Sequence, residues 1–123
     1  MSKAKQFSQP GLPLTAPVFY ILLSLSLGER HGYDILKHIR ATSGDTVRLG
    51  PGTLYTVLKR LLDESLIVEI DPPPAVVSES TDERRRYYRL TERGRDVLTI
   101  ELRRFEQALA LARRGNVYGV TAQ

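Results

Sequence analysis

Residues 50–62 read Gly-Pro-Gly-Thr-Leu-Tyr-Thr-Val-Leu-Lys-Arg-Leu-Leu. Gly50 suits a helix cap, and Pro51 suits the first helical position, where its missing N–H costs nothing. Leu54, Val57, Leu58, Leu61 and Leu62 fall on one stripe at helical spacing. Thr53, Thr56, Lys59 and Arg60 point away from it, with Tyr55 on the flank between. The stretch predicts an amphipathic helix with one face for a core and another that is polar and basic.

Downstream, Leu66 to Ile70 is rich in branched residues and predicts a strand. Asp71-Pro72-Pro73-Pro74 cannot continue it, because proline removes ladder donors. Residues 71–83 form a polar loop, acidic towards its end. Arg86 to Leu90 alternates, with Tyr88 and Leu90 on one face and Tyr87 and Arg89 on the other, which predicts the second strand of a hairpin. Thr91 then caps a last helix that runs to about Arg114 and stops at Gly115-Asn116.

Upstream, Thr15 caps a helix with Pro17 in its first turn, ending at Gly28. Val18, Phe19, Ile21, Leu22, Leu23, Leu25 and Leu27 make it apolar on almost every side, so it needs cover all round. A second helix starts near His31-Gly32 and ends in the turn residues Thr42 to Asp45. Thr46 to Leu49 fits a short strand or an extended linker. Three helices followed by a hairpin and a last helix describe a mainly α fold with a small β-hairpin. This is the winged helix-turn-helix plan with a C-terminal dimerisation helix. The expected layout is a flexible tail over 1–14, a DNA-binding domain over 15–91, the dimerisation helix over 92–115 and a tail over 116–123.

Composition fits this plan. The chain has 123 residues, 41% of them hydrophobic, a formal net charge of +4 and a pI near 9.6. Such a balance suits a nucleic-acid partner. With no cysteine, neither a disulfide framework nor a thiolate metal site is available. The longest apolar run, Val18 to Leu27, is broken by Ser24 and Ser26 and is too short to span a bilayer. The start of the chain lacks the apolar core of a signal peptide. A cytoplasmic location is therefore expected.

The third helix carries the expected chemistry. Gly50 and Gly52 leave room for a phosphate at the N–H groups of its first turn. Thr53 and Thr56 can donate to phosphates or base edges, and Lys59 and Arg60 can reach phosphates or guanine acceptors. Taken alone, such a face is more often simply solvated. The run Arg84-Arg85-Arg86 sits where the wing loop returns to its second strand. Arginines there can clamp phosphates or enter a minor groove, or they can balance Glu79, Asp82 and Glu83. Together the two features favour DNA. His31 and His38 share one helical face but lack further ligands, so no metal or cofactor is expected. No convergent catalytic set is visible, so no enzymatic activity is expected.

The last helix has two apolar stripes. One is Leu98, Leu102, Phe105, Leu109 and Ala112; the other is Val97, Ile100, Ala108 and Leu111. One can face the domain and the other a partner copy, as in a coiled-coil seam. A single wide face against its own domain is the rival. A homodimer is expected, with Phe19 and Leu22 of the first helix packed across the axis against Leu98, Leu102, Phe105 and Leu109 of the other chain.

Three stretches resemble the PadR family of bacterial transcriptional regulators. They are His31-Gly32-Tyr33-Asp34-Ile35; Gly50-Pro51-Gly52-Thr53-Leu54-Tyr55 with Leu58, Arg60 and Leu61; and Arg85-Arg86-Tyr87-Tyr88-Arg89-Leu90-Thr91-Glu92-Arg93-Gly94. The chain looks like the short subgroup with one C-terminal dimerisation helix. The resemblance implies a dimeric repressor of a pseudo-palindromic operator, relieved by a small-molecule effector. It places DNA contacts on Thr53, Tyr55, Thr56, Lys59 and Arg84 to Arg86. Two departures stand out: the wing is long, proline-containing and acidic, and there is no tryptophan on which to build a stacking drug pocket. The rival functions are a winged-helix module for protein–protein contact and a non-specific architectural DNA binder.

Overall fold

The computed structural model describes residues 12–72 and 86–118. The elements, in chain order, are α1 (Ala16–Ser26), β1 (Arg30–His31), α2 (Gly32–Thr42), α3 (Pro51–Asp63), β2 (Ile67–Ile70), β3 (Tyr87–Leu90) and α4 (Glu92–Arg114). This is a winged helix-turn-helix: three helices, a β-hairpin and a long final helix. The expected caps form. Thr15 accepts from the N–H of Val18, and Thr91 accepts from that of Gly94 at 2.9 Å. Thr46 to Leu49 forms no strand, so it is the extended linker of the two options.

Strand β1 had no expectation in the sequence, because two residues carry no period. It pairs antiparallel with β3, giving the sheet order β1-β3-β2. This third strand explains a departure from simple alternation. Tyr88 and Leu90 are buried and Arg89 is exposed, but Tyr87 is buried too. The His31 ring stands edge-on to Tyr87, 5.2 Å between centroids, and covers it. His31 is the cap of α2 rather than a member of its face, so it does not line up with His38 along one helix as the spacing suggested. Its Nδ1 accepts from the N–H of Asp34 at 3.3 Å.

One core joins every helix. Ile21, Leu22 and Leu25 of α1 meet Ile35 and Ile39 of α2, Leu54, Leu58 and Leu61 of α3, and Tyr88 and Leu90 of β3. The first turns of α4 join it through Val97 and Leu98. Each such side chain, fully buried, stabilises the fold by about 1.5–3 kcal/mol. Glu101 of α4 is also buried, at 1% exposure. A buried carboxylate requires partners. It accepts from the N–H of Leu14 at 2.8 Å and pairs with Arg104, which ties the approach to α1 onto α4.

Beyond Leu102 the domain reaches α4 through the contact of Phe19 with Phe105, and the rest of that stretch faces outward. Arg103 to Leu111 are all exposed. The helix ends as expected: the N–H of Val117 returns to the carbonyl of Ala112 at 2.9 Å, with Asn116 in the left-handed region at φ 61°.

Candidate nucleic-acid interface

Helix α3 buries Leu54, Leu58 and Leu61 and turns Gly52, Thr53, Tyr55, Thr56, Lys59 and Arg60 outward. At 100° per residue these six span an arc of roughly 160°. The cap residue Gly50 offers no side chain to the first turn, and a Cβ built at Gly50 or Gly52 meets nothing within 4 Å. No side chain caps the first N–H groups, and a helix start of this kind favours an anion through the helix dipole.

The cations on this surface have carboxylate neighbours. Lys59 lies 3.7 Å from Asp63, Arg60 lies 3.3 Å from Glu64, and Arg86 lies 3.6 Å from Glu69. The Lys59–Asp63 and Arg86–Glu69 pairs are exposed on both sides and contribute about 0–1 kcal/mol, so they yield readily to a phosphate, whereas the Glu64 side chain is mostly buried. Sequence reading found the cations and passed over the partners, although the four-residue spacing of the two α3 pairs was visible.

Tyr55, Leu58, Lys59, Leu62, Asp63, Arg86 and Tyr88 line a cleft of about 310 Å³ between α3 and the base of β3. It brings the returning end of the wing and the outward face of α3 to one surface. Burial pushes the Tyr88 phenol above its usual range. Glu69 and Tyr55 add to the rise, and Arg86 opposes it. Arg84 and Arg85 lie outside the described residues. On α2, Tyr33 is exposed and the Lys37 ammonium sits 5.1 Å from its ring centroid. The aromatic four residues before the lysine is the sequence signal for this pair.

Tyr55 is half exposed, but its hydroxyl end rests on Gly32. A Cβ at Gly32 would stand 2.8 Å from the Tyr55 Cζ and closer still to its hydroxyl oxygen. Glycine at 32 is thus what lets the start of α2 and the outward flank of α3 approach. Gly32→Ala is expected to swing the half-exposed Tyr55 ring aside at a cost below about 1 kcal/mol, because only the far end of that side chain has to move. In a Tyr55→Ala background the cost should largely vanish, because the two changes share one contact. Thermal denaturation of the four proteins checks this; full additivity would mean that the Gly32–Tyr55 contact is energetically idle.

The side chains expected at the dimer seam divide. Leu22 is fully buried and Leu98 is 4% exposed, both within the core of the single chain. Neither side chain is left over for a partner, which corrects the sequence expectation for these two. Phe19 and Leu102 are partly buried, while Phe105 and Leu109 are exposed at 41% and 37%. Phe19 meets Phe105 of its own chain, with ring centroids 5.1 Å apart. The first and last helices therefore already pack within one chain, and their apolar outer surface is wider than their shared contact.

Among the described residues, no helix is long and apolar enough to cross a membrane, and no group of three metal-ligating side chains occurs. The fold and the outward face of α3 define a winged helix-turn-helix protein. The family described as "Transcriptional regulator PadR-like family" matches residues 21–100. The chain belongs to this family, a family of transcriptional regulators rather than enzymes. Among solved structures, it is similar to a PadR family transcription regulator from Clostridium difficile R20291, at 27% identity and a TM-score of 0.65, over 81% of this chain and 97% of that one. It is also similar to Bacillus subtilis PadR, solved in complex with operator DNA, at 27% identity and a TM-score of 0.60, over 72% of this chain and 48% of that one. A transcriptional regulator from Clostridium thermocellum, at 24% identity and a TM-score of 0.61 over 80% of this chain and 87% of that one, shares the fold. No curated protein matches the chain.

Proposed function

We propose that the protein is a cytoplasmic homodimeric repressor that binds a pseudo-palindromic DNA operator and is released by a small effector. The observation that carries this is the outward face of α3, where an uncapped helix start, Thr53, Tyr55, Thr56, Lys59 and Arg60 form one surface beside Arg86. In this reading α3 enters the major groove, and the arginines 84–86 at the base of the wing hold phosphates. Residues 15–91 act as the DNA-binding unit and residues 92–115 as the dimerisation helix. The operator complex of the Bacillus subtilis relative supports the DNA partner. Two-fold symmetry of the protein implies inverted half-sites about one helical turn apart, or a multiple of it.

The test separates roles. Duplexes selected from a random library are titrated by fluorescence anisotropy against scrambled duplexes at one salt concentration. Lys59→Ala and Arg86→Ala are expected to weaken binding to both. Tyr55→Ala and Thr56→Ala are expected to reduce the preference for the selected site, by about 1–3 kcal/mol per lost base contact. Equal affinity for selected and scrambled DNA would make the protein an architectural binder. No duplex binding at all would leave a protein–protein module.

A further inference from the structure

Helix α3 ends in a turn whose carbonyls are taken up by α4. The N–H of Leu66 returns to the carbonyl of Leu61 at 2.9 Å and that of Ser65 to Leu62 at 3.0 Å, with Ser65 in the left-handed region at φ 62°. This geometry presents three successive carbonyls to the start of α4. Arg93 Nε donates to the Glu64 carbonyl at 3.0 Å, Thr91 Oγ1 to that of Ser65 at 2.7 Å, and the Thr91 N–H to that of Leu66 at 3.1 Å. Gly94 sits directly against this turn. A Cβ there would lie 3.0 Å from the Leu66 carbonyl carbon and closer still to its oxygen, a backbone atom that cannot swing aside.

We propose that Thr91, Arg93 and Gly94 form a positioning site that sets the angle between the reading helix and the C-terminal helix, and with it the half-site spacing the dimer accepts. The inference rests on the dimeric DNA-binding reading above. In such a dimer the exposed half of α4 lies at the two-fold axis. Each reading helix is then held to that axis through the 64–66 turn. The distance from Gly94 to Leu109 along α4 is about 22 Å at 1.5 Å per residue. A tilt of roughly 10° at the turn displaces the far end by about 4 Å, more than the ~3.4 Å rise of one base pair. A rotation of that size at position 94 is therefore enough to change register on DNA.

The chain has no cysteine, so Thr56→Cys accepts one spin label per chain on the outward face of α3. Dipolar spectroscopy on the full-length protein without DNA then measures the distance between the two reading helices. The Gly94 background is expected to give one narrow distance. Gly94→Ala is expected to shift it by several ångströms, and Arg93→Ala to broaden it, with the sedimenting mass unchanged. In selection from a random duplex library, unlabelled Gly94→Ala should recover half-sites spaced differently from the native protein by about one to two base pairs, because both heads move relative to the axis. A folded, dimeric Gly94→Ala with unchanged distance and spacing overturns the proposal, and so does a variant that dissociates, because the turn would then hold the seam rather than the angle. Should Gly94→Ala fail to fold, the Arg93→Ala distance distribution decides, and an unaltered one overturns the proposal. Loss of the inter-chain signal in the Gly94 protein itself instead overturns the dimer on which the inference stands.

Discussion

Raising the salt from 50 to 200 mM is expected to weaken duplex binding about a thousandfold. Lys59, Arg60 and Arg86 give three described cations per reading head. Two heads then make about six phosphate contacts, and the slope of log K against log salt should lie near −5. Each cation must first leave Asp63, Glu64 or Glu69; the Asp63 and Glu69 pairs are exposed and contribute little, so for Lys59 and Arg86 the exchange for phosphate is cheap. The salt dependence thus reports counterion release from DNA more than the breaking of internal pairs. Anisotropy titrations at four or five salt concentrations measure the slope directly. A slope near zero would remove duplex DNA as the partner.

Periodicity made most of the fold legible. The stripe from Leu54 to Leu62, the proline at 51 and the threonine caps at 15 and 91 act locally, so they can be read without knowing what packs on them. What escaped was non-local. Strand β1 is two residues long and exists because β3 offers it an edge. The burial of Tyr87 follows from the same pairing. Alternation within one strand shows which side chains share a face, but not whether a second element covers it.

The candidate site was legible to a similar depth. The outward residues of α3 were found because helical rotation fixes them once the apolar stripe is known. Their environment was not. That Tyr55 rests on Gly32, and that Arg86 shares a cleft with Lys59, depends on how α2 and β3 meet α3. The assignment of Leu22 and Leu98 to a seam failed for the same reason. A helix that is apolar all round looks identical in sequence whether its own domain or a second copy covers it.

Leu109→Glu is expected to split the proposed dimer and to reduce operator affinity by about 100-fold or more, because two linked heads bind far better than one. The core uses Val97 and Leu98, and beyond Leu102 the domain reaches α4 through the contact of Phe19 with Phe105. Past that point Phe105 and Leu109 continue the stripe, and Leu111 and the earlier Ile100 are exposed as well. Leaving such a helix in water exposes large apolar side chains with no return in stability, whereas burying each against a second copy contributes about 1.5–3 kcal/mol. Leu109 has no place in the core of the single chain, so a glutamate there is tolerated by a monomer and is costly only inside a dry seam. The variant should therefore keep its helical circular-dichroism signal while its sedimenting mass falls by half. A Leu58→Ala control should do the opposite, losing about 2–5 kcal/mol of stability from the core with the oligomeric state governed by the fold that remains. If native protein sediments as a monomer at micromolar concentration and still binds a selected duplex tightly, the exposed stripe of α4 serves some purpose other than pairing.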